Sequence, residues 1–526
     1  MMFSTKVSWQ RLSCLLLLVG ASGLAFAPAA DAAFSAGRKM TIDANQVGGS
    51  SGSLPDFPVL VSLTDNELKT TANGGKVANG FDIIFRAYDS ATCGGPSSCT
   101  LDHQIESYSG TGGTLVAWVR IPSLSKGTDT VFYMHFGDSS IVAPTENPTG
   151  VWDSNFKGVW HLKEDPAGAA PQFVDSTLNP NDGTAVMLTS ADQVPGKIDG
   201  SLKSDDDPTD RYVNVPNDPS LQLPNNMTVS AWARTFPDAD PPQPRLIVAK
   251  WKFPPPPWQN YWLGKLNDTD LAFIVDGSQN VSAPLSLINV DGLWHHVVGV
   301  ADGTLLRIYV DGIERNTAPY TGSSQTGDSV LQIGLNPDSP FQNWVGGIDE
   351  VQVANTARPA DWILTSYNNQ NSPFPFYKPT ANFRSIGTIG TNLADTGTAS
   401  VATGSTTVTF TDPLPARGSV GDVGPGDKLV LGGETFYILT RNSNTQVTVQ
   451  TAASATFSGA YTITRAYNWI PVWEAARRGD LLLANRLEVG VAYMDTTFTA
   501  GVTIDGSTTD SSHFIDRKST RLNSSH

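Results

Sequence analysis

Oxygen ligands, aromatic rings and a few histidines are the groups through which this 526-residue chain could do chemistry. Asp175-Ser-Thr-Leu-Asn179-Pro-Asn181-Asp182-Gly183 packs carboxylate, amide and carbonyl oxygens into one tight turn. Ca²⁺ prefers such hard ligands, so Asp175, Asn179 and Asp182 are candidate calcium ligands. The plain alternative is an Asx turn, which Asp, Asn and Gly build without any metal. The acidic run Asp205-Asp-Asp-Pro-Thr-Asp210 reads as a solvated loop.

A second constellation is aromatic: Trp251-Lys-Phe-Pro-Pro-Pro-Pro-Trp258-Gln-Asn260-Tyr-Trp262. Its prolines stiffen the loop, and aromatic faces suit sugars because they stack on the apolar C–H surface of the ring. Trp258 is the candidate platform, with Asn260 and Asp268 as candidate partners for hydroxyls. Tyr261 and Trp262 begin what reads as a core strand, so at least one of these rings is expected inside. No Gly-x-Ser-x-Gly, His-Glu-x-x-His or phosphate-cradling glycine loop occurs. His295 and His296 are adjacent in a strand pattern and should point to opposite faces. His161, in Val-Trp-His-Leu, reads as a core histidine; His103 and Glu106 could share a surface, which a solvated edge explains as well. No catalytic residue is assigned from these patterns.

The elements that must position these groups are short strands. Charged residues make up only 16% of the chain, against about a quarter in an average protein. Gly 48 and Pro 35 supply many turns, and 40% hydrophobic content is too high for disorder. The length allows three or four domains. A net charge of −16 argues against nucleic acid, whose binding needs basic patches to displace counterions.

Residues 1–32 have secretory-signal anatomy: Lys6 and Arg11, an apolar run from Leu15 to Phe26, then small residues. Pro28 should block cleavage after Ala27, which leaves Ala30-Asp31-Ala32 as the expected site. The apolar run is too short to span ~30 Å of hydrocarbon, so a secreted, cell-surface or periplasmic location is expected, with no transmembrane segment in the mature chain. Cys14 precedes the apolar run and would leave with the signal. Cys93 and Cys99 remain, separated by five turn-forming residues, and should form one small disulfide in an exported protein.

Between 38 and 145 the strand-like runs include Phe57–Leu63, Phe81–Phe85, Leu115–Ile121 and Val131–Phe136, each bounded by turn residues. Arg38-Lys-Met-Thr-Ile-Asp43, Phe57-Pro-Val-Leu60, Gly80-Phe-Asp-Ile83, Leu101-Asp-His-Gln-Ile-Glu106, Ala117-Trp-Val-Arg-Ile-Pro122 and Tyr133-Met-His-Phe-Gly137 follow one another in order. This series resembles an uncharacterised β-sandwich domain of bacterial surface proteins, which implies no assigned activity.

From 151 to 375 a denser β pattern follows, with Trp294-His-His-Val-Val-Gly-Val300, Leu305-Leu-Arg-Ile-Tyr-Val310 before Asp311-Gly312, and Gly346-Gly-Ile-Asp-Glu-Val-Gln-Val353. The Asp-Gly pair predicts a hairpin turn. This block resembles the laminin-G-like, concanavalin A-like lectin and glucanase jelly roll. That resemblance implies a calcium site shared between the Asp175 loop and Asp349, although Leu178 and Pro180 stand where glycines are usual. Glycanases of this fold carry carboxylates on alternate residues of one strand, facing one cleft. The nearest match is Asp349-Glu350, and adjacent strand residues should face oppositely.

From 381 to 467 short alternating runs predict a small β-barrel or sandwich. A short helix is expected over Pro471–Arg478, stopped by Gly479, and the strand-turn rhythm of 470–515 resembles the opening of a parallel β-helix. Asp516–His526 can be encoded codon for codon by a common sequencing-adapter string. Residues 516–526 are therefore expected to be a read-through artefact, with the native frame continuing past Ile515 and the chain a fragment.

The fold class expected is all-β and multidomain: a β-sandwich, a concanavalin A-like jelly roll, a small β domain and the start of a parallel β-helix. The function expected is glycan or protein binding, with a carbohydrate or glycoprotein ligand, by an exported surface or adhesin-type protein that is non-catalytic in the part present. Two other functions are open: the targeting portion of a polysaccharide-degrading β-helix enzyme, and the periplasmic part of a TolQ/ExbB-type proton-channel-associated protein. The last follows from similar domain pairs that accompany such channels.

Overall fold

Alternation of branched or aromatic residues with polar ones turns these runs into strands, because successive side chains leave a strand on opposite faces. A computed structural model describes residues 34–204, 210–223, 225–236, 243–251, 260–277, 279–288, 292–322, 327–336, 342–387, 392–417, 419, 421–479, 481, 483–493, 507, 509 and 515–519. The signal-like segment 1–32 lies outside them.

The first module contains β1 (Ala36–Ile42), β2 (Ser53–Thr64), β3 (Ile84–Ala87), β4 (Cys99–Leu101), β5 (His103–Ser109), β6 (Thr114–Ser125) and β7 (Thr130–Phe136). They form antiparallel sheets ordered β1-β7-β3-β4 and β2-β6-β5. Phe57, Val59, Phe85, Phe132 and Met134 fill the core between them. Cys93 and Cys99 form the expected disulfide. The short helix α1 (Pro148–Val151) leads out of the module.

The second module is a two-sheet jelly roll. Its strands are β8 (Phe156–Trp160), β9 (Thr184–Val186), β10 (Gln193–Pro195), β11 (Gly200–Ser204), β12 (Tyr212–Val215), β13 (Asn226–Thr235), β14 (Arg245–Lys250), β15 (Tyr261–Lys265), β16 (Asp270–Val275), β17 (Gln279–Pro284), β18 (His295–Asp302), β19 (Leu305–Val310), β20 (Ile313–Pro319), β21 (Leu331–Ile333) and β22 (Gly346–Ala354). One sheet runs β10-β11-β22-β13-β18-β19-β20, with β8 also on β22; the other runs β17-β16-β15-β14-β21-β12-β9. Met227, Val229, Tyr261, Leu263, Phe273, Val297 and Ile308 meet in the core. Asp311 and Gly312 both have positive φ, +55° and +75°, so the predicted turn between β19 and β20 takes the twist that suits a two-residue hairpin.

Helix α2 (Ala360–Asn371) separates the two modules, and α3 (Pro373–Phe376) follows it. At helical spacing, Ile363, Tyr367 and Gln370 share one face, while Trp362, Thr365 and Asn369 share the next. The first face meets the jelly roll: Ile363 packs on Val298, Val300 and Tyr309, Tyr367 stacks on Trp232, and the Trp232 indole N–H donates to Gln370 Oε1 at 2.6 Å. The second meets the first sandwich: Trp362 packs on Phe57, and Thr365 Oγ1 accepts the Gly48 N–H at 2.8 Å.

Beyond α3, β23 (Thr380–Ile386) precedes β24 (Ala399–Val401), β25 (Thr407–Phe410), β26 (Lys428–Leu431), β27 (Glu434–Arg441), β28 (Gln446–Val449), β29 (Phe457–Gly459) and β30 (Tyr461–Thr464). The last seven form a small β module ordered β29-β24-β25-β28-β27-β26-β30. Helix α4 (Ile470–Arg477) falls where the short helix was expected. β31 (Arg486–Ala492) and β32 (Ile515–Ser519) then stack in parallel with β23 in the order β23-β31-β32. The 381–467 block is thus not one unit. Parallel neighbours need a long crossover, and the seven-stranded module with α4 is the crossover between β23 and β31. A buried ion-pair network binds this sheet to the first sandwich: Arg486 reaches Asp65 at 3.0 Å, and Arg477 reaches both Glu488 and Glu67 at 2.7 Å. No helix among the described residues is long and apolar enough to cross a membrane.

Candidate functional site

The Asp175 loop is a hydrogen-bonded turn. Asp175 Oδ1 accepts the N–H groups of Val159 and Thr177 at 3.0 Å each, and Oδ2 accepts the Thr177 hydroxyl at 2.9 Å and the Asn181 N–H at 3.2 Å. Asp182 Oδ1 accepts the Asp175 N–H, and the Asn179 amide donates to the Phe156 carbonyl. Burial pushes the Asp175 carboxyl up to about 6 despite these donors. Asp349 Oδ2 accepts the N–H groups of Lys197 and Ile198 at 2.7 and 3.0 Å. Among the described residues, Asp175, Asp182 and Asp349 do not gather at ion-sharing distance. Both oxygens of Asp175 thus already accept donors of the protein itself.

The aromatic constellation is also split. Trp258 lies outside the described residues. Asn260 is fully buried at φ +55°, with its carbonyl accepting the Asp276 N–H. Asp268 is 49% exposed and pairs with Lys265 at 2.8 Å. The two flank β15 at opposite ends, on the order of 16 Å apart for five extended residues, so they cannot hold one sugar ring together. Tyr261 enters the core, as expected of one ring, whereas Trp262 joins a separate apolar cluster with Leu246, Ala249, Trp251 and Ile274.

Cross-strand register places Trp262 in a row along the outer face of this sheet: Asn214, Gln332, Ala249, Trp262, Ile274 and Asn280. Amides stand at both ends and apolar groups in the middle. Trp262 is 5% exposed and Asn280 is open to solvent. No carboxylate stands in the row.

The groups with chemical potential that come together are three others. Glu106, His161 and Glu350 offer ligand atoms within 4.8 Å of one another. His161 Nδ1 lies 2.8 Å from Glu350 Oε1 and 3.5 Å from Glu106 Oε2, and these side chains are 0–2% exposed. Glu106 belongs to the first sandwich; His161, just past β8, and Glu350, in β22, belong to the jelly roll. Each glutamate sits at a β-bulge. The β5–β6 register shifts between Ile105 and Ser107, and the β13–β22 register shifts between Ser230 and Trp232, with Glu350 at φ +50°. A bulge inserts an extra residue and re-aims its side chain, which explains how Glu350 escapes simple alternation with Asp349.

The Trp118 indole N–H donates to Glu106 Oε2 at 2.8 Å, the Lys163 ammonium donates to the Glu106 carbonyl, and Trp118 and Trp152 flank the imidazole. Burial, reinforced by Glu350, raises the Glu106 carboxyl to about 8, with His161 opposing. Burial also raises Glu350 and Asp349 well above the usual range and lowers His161. His103 and Glu106, for which the sequence leaves a shared surface or a solvated edge open, are both buried. The available signal was that His161 and Glu350 stand in the two motif-bearing strands of the jelly roll, which pair at Trp160 and Val351. Nothing local tied Glu106 to them. Shut in at the module joint, this cluster cannot reach a polymeric substrate.

The fold is thus an all-β, multi-module one with a jelly-roll domain at its centre. Residues 207–364 match the family model described as the concanavalin A-like lectin/glucanases superfamily. No curated protein matches the chain. Among solved structures, domain 4 of AbnA, a GH43 extracellular arabinanase from Geobacillus stearothermophilus in complex with arabinotriose, is similar at 17% identity, covering 41% of this chain and 98% of that one with a TM-score of 0.31. The binding domain of Paraclostridial mosquitocidal protein 1 is similar at 12% identity over 56% and 73%, TM-score 0.31. The Ruminococcus gnavus IT-sialidase CBM40 bound to α2,3-sialyllactose is similar at 11% identity over 32% and 96%, TM-score 0.26.

Proposed function

We propose that the jelly roll is a glycan-binding module of an exported protein and that the described part of the chain is non-catalytic. The observation that carries this reading is the match of residues 207–364 to a lectin and glucanase family model. Two features select binding over hydrolysis. The outer-face row from Asn214 to Asn280 lacks the paired carboxylates that glycoside cleavage needs, and the acids that do cluster are sealed at the module joint. The amides of the row would hydrogen-bond hydroxyls, and Trp258, three residues before β15 in the sequence, would supply the stacking face. The Cys93–Cys99 disulfide supports an oxidising destination.

A glycan array with the full chain, its W258A variant and an N214A/Q332A double variant tests this. Saturable binding of at least one glycan class by the wild type is expected, weakened by both changes. No binding by the wild type would sink the reading, and unchanged binding by W258A would remove the platform.

A second reading, delivery of a polysaccharide-degrading β-helix rather than adhesion, draws on the parallel pairing of β23 with β31. Release of oligosaccharides from the bound glycan by the native protein would favour it.

A further inference from the structure

Three ionisable side chains with no exit to solvent meet at the joint between the first sandwich and the jelly roll. Were both glutamates ionised and His161 neutral, the pocket would hold two negative charges, faced by the Trp118 indole N–H and the Lys163 ammonium, which donates to the Glu106 carbonyl. Besides the converging atoms Glu106 Oε2, Glu350 Oε1 and His161 Nδ1, each group has a second polar atom, Glu106 Oε1, Glu350 Oε2 and His161 Nε2, that is buried without a hydrogen-bond partner. Buried charge is tolerated when it is paired or coordinates a metal, and buried polar atoms ordinarily find partners. A single dication would cancel the charge of the two carboxylates.

We propose that Glu106, His161 and Glu350 bind one Zn²⁺ ion that staples the first sandwich to the jelly roll. The donor set decides the class of ion. Ca²⁺ takes six to eight oxygens, and Mg²⁺ keeps an octahedral shell with several waters, neither of which suits two carboxylates, an imidazole and walls of Trp118 and Trp152. Zn²⁺ accepts mixed nitrogen and oxygen ligands in a tetrahedron. With bonds of about 2.0–2.2 Å, neighbouring tetrahedral ligand atoms stand roughly 3.4 Å apart. The 3.5 Å from His161 Nδ1 to Glu106 Oε2 already has that length, and the 2.8 Å to Glu350 Oε1 needs to open by about half an ångström. The Trp118 N–H on Glu106 is the outer-shell bond that orients a ligating carboxylate. Because Glu106 comes from the first module and the other two ligands from the second, the ion would lock their relative placement.

The full chain, stripped with a strong chelator and dialysed, is the material for the test. Elemental analysis after zinc reloading should find about one Zn²⁺ per chain, the thermal midpoint should rise saturably with added Zn²⁺, and Co²⁺ in its place should give the intense visible absorption of a tetrahedral site. E350Q and E106Q should each weaken zinc binding by more than the roughly 10–100-fold that even an outer-shell partner costs, while E314Q, on β20, keeps the wild-type stoichiometry. Absence of retained zinc, of a midpoint shift and of a tetrahedral Co²⁺ band in the wild type would overturn the proposal, as would an equal response to Ca²⁺. These wild-type readouts hold even if a variant fails to fold, and glycan binding is not among them.

Discussion

Asn369 on α2 carries a stability prediction that can be worked from three hydrogen bonds. In the first sandwich β2 is an edge strand, paired with β6 alone. At Leu60 its open edge is capped by a side-chain amide: the Leu60 N–H donates to Asn369 Oδ1 at 2.6 Å, and Asn369 Nδ2 donates back to the Leu60 carbonyl at 3.0 Å. The Tyr377 hydroxyl donates to the same carbonyl at 2.9 Å. All three residues are buried. Asn369→Leu keeps the volume and removes both amide bonds. The carbonyl still has Tyr377, but the buried N–H has nothing, so the cost is one orphaned donor, about 1–3 kcal/mol. Tyr377→Phe leaves both Leu60 groups on Asn369 and should cost about 1 kcal/mol or less. In the double variant the carbonyl is orphaned too, so the cost should exceed the sum of the singles by about 1 kcal/mol or more. Urea unfolding of the full chain measures the energies, and hydrogen exchange read on the peptide containing Leu60 locates them: that amide should lose protection in N369L and keep it in Y377F. An amide still protected in N369L, or a double variant additive within about 0.5 kcal/mol, would refute the reasoning.

Two further outcomes are open to direct measurement. Replacing Cys93 and Cys99 by Ser should lower stability by roughly 2 kcal/mol, the chain-entropy value for so short a loop; calorimetry showing no change would contradict it. His296 is buried against Trp232, and burial lowers it to about 4. Its neutral form is favoured by folding, so that contribution is complete above the unfolded value of about 6.5 and is lost as pH falls from there toward 4. The loss reaches up to about 3 kcal/mol, and wild type minus H296N, followed by urea unfolding across that window, should show it; parallel pH curves would refute it.

Much of the architecture could be read from alternation and turn chemistry, and less of the site. The Asp311-Gly312 turn, the short cysteine loop and the β-rich blocks are local features, each fixed by a few neighbouring residues. Helix α2 was not legible because its two buried faces carry amides and hydroxyls, such as Thr365, Asn369 and Gln370, in place of an apolar stripe. The β23–β31 pairing was hidden for another reason: the partners of Thr380–Ile386 lie a whole module further along the chain. At the Asp175 loop, calcium ligation and an Asx turn use the same residue types, and the donors that Val159 and Asn181 bring to Asp175 are visible only in the fold. Bulges are the deepest obstacle, since one inserted residue reverses every inference about which side chain faces where.

That reversal also bears on what the jelly roll can do. Cleavage by a carboxylate pair needs a regular pleat, so that alternate acids project into one cleft within about 5–10 Å of each other. In β22 the pleat breaks where the acids are. Asp349 is held by backbone donors from Lys197 and Ile198, and the bulge turns Glu350 toward His161 and Glu106 at the joint with the first sandwich. Of the two acids of this strand, Asp349 is thus tied within the jelly roll and Glu350 faces the joint with the first sandwich. On the other sheet, the outer row from Asn214 to Asn280 carries amides and apolar side chains and no carboxylate. The alternating acid pair that cleavage uses is thus missing from β22, which supports the binding role proposed above.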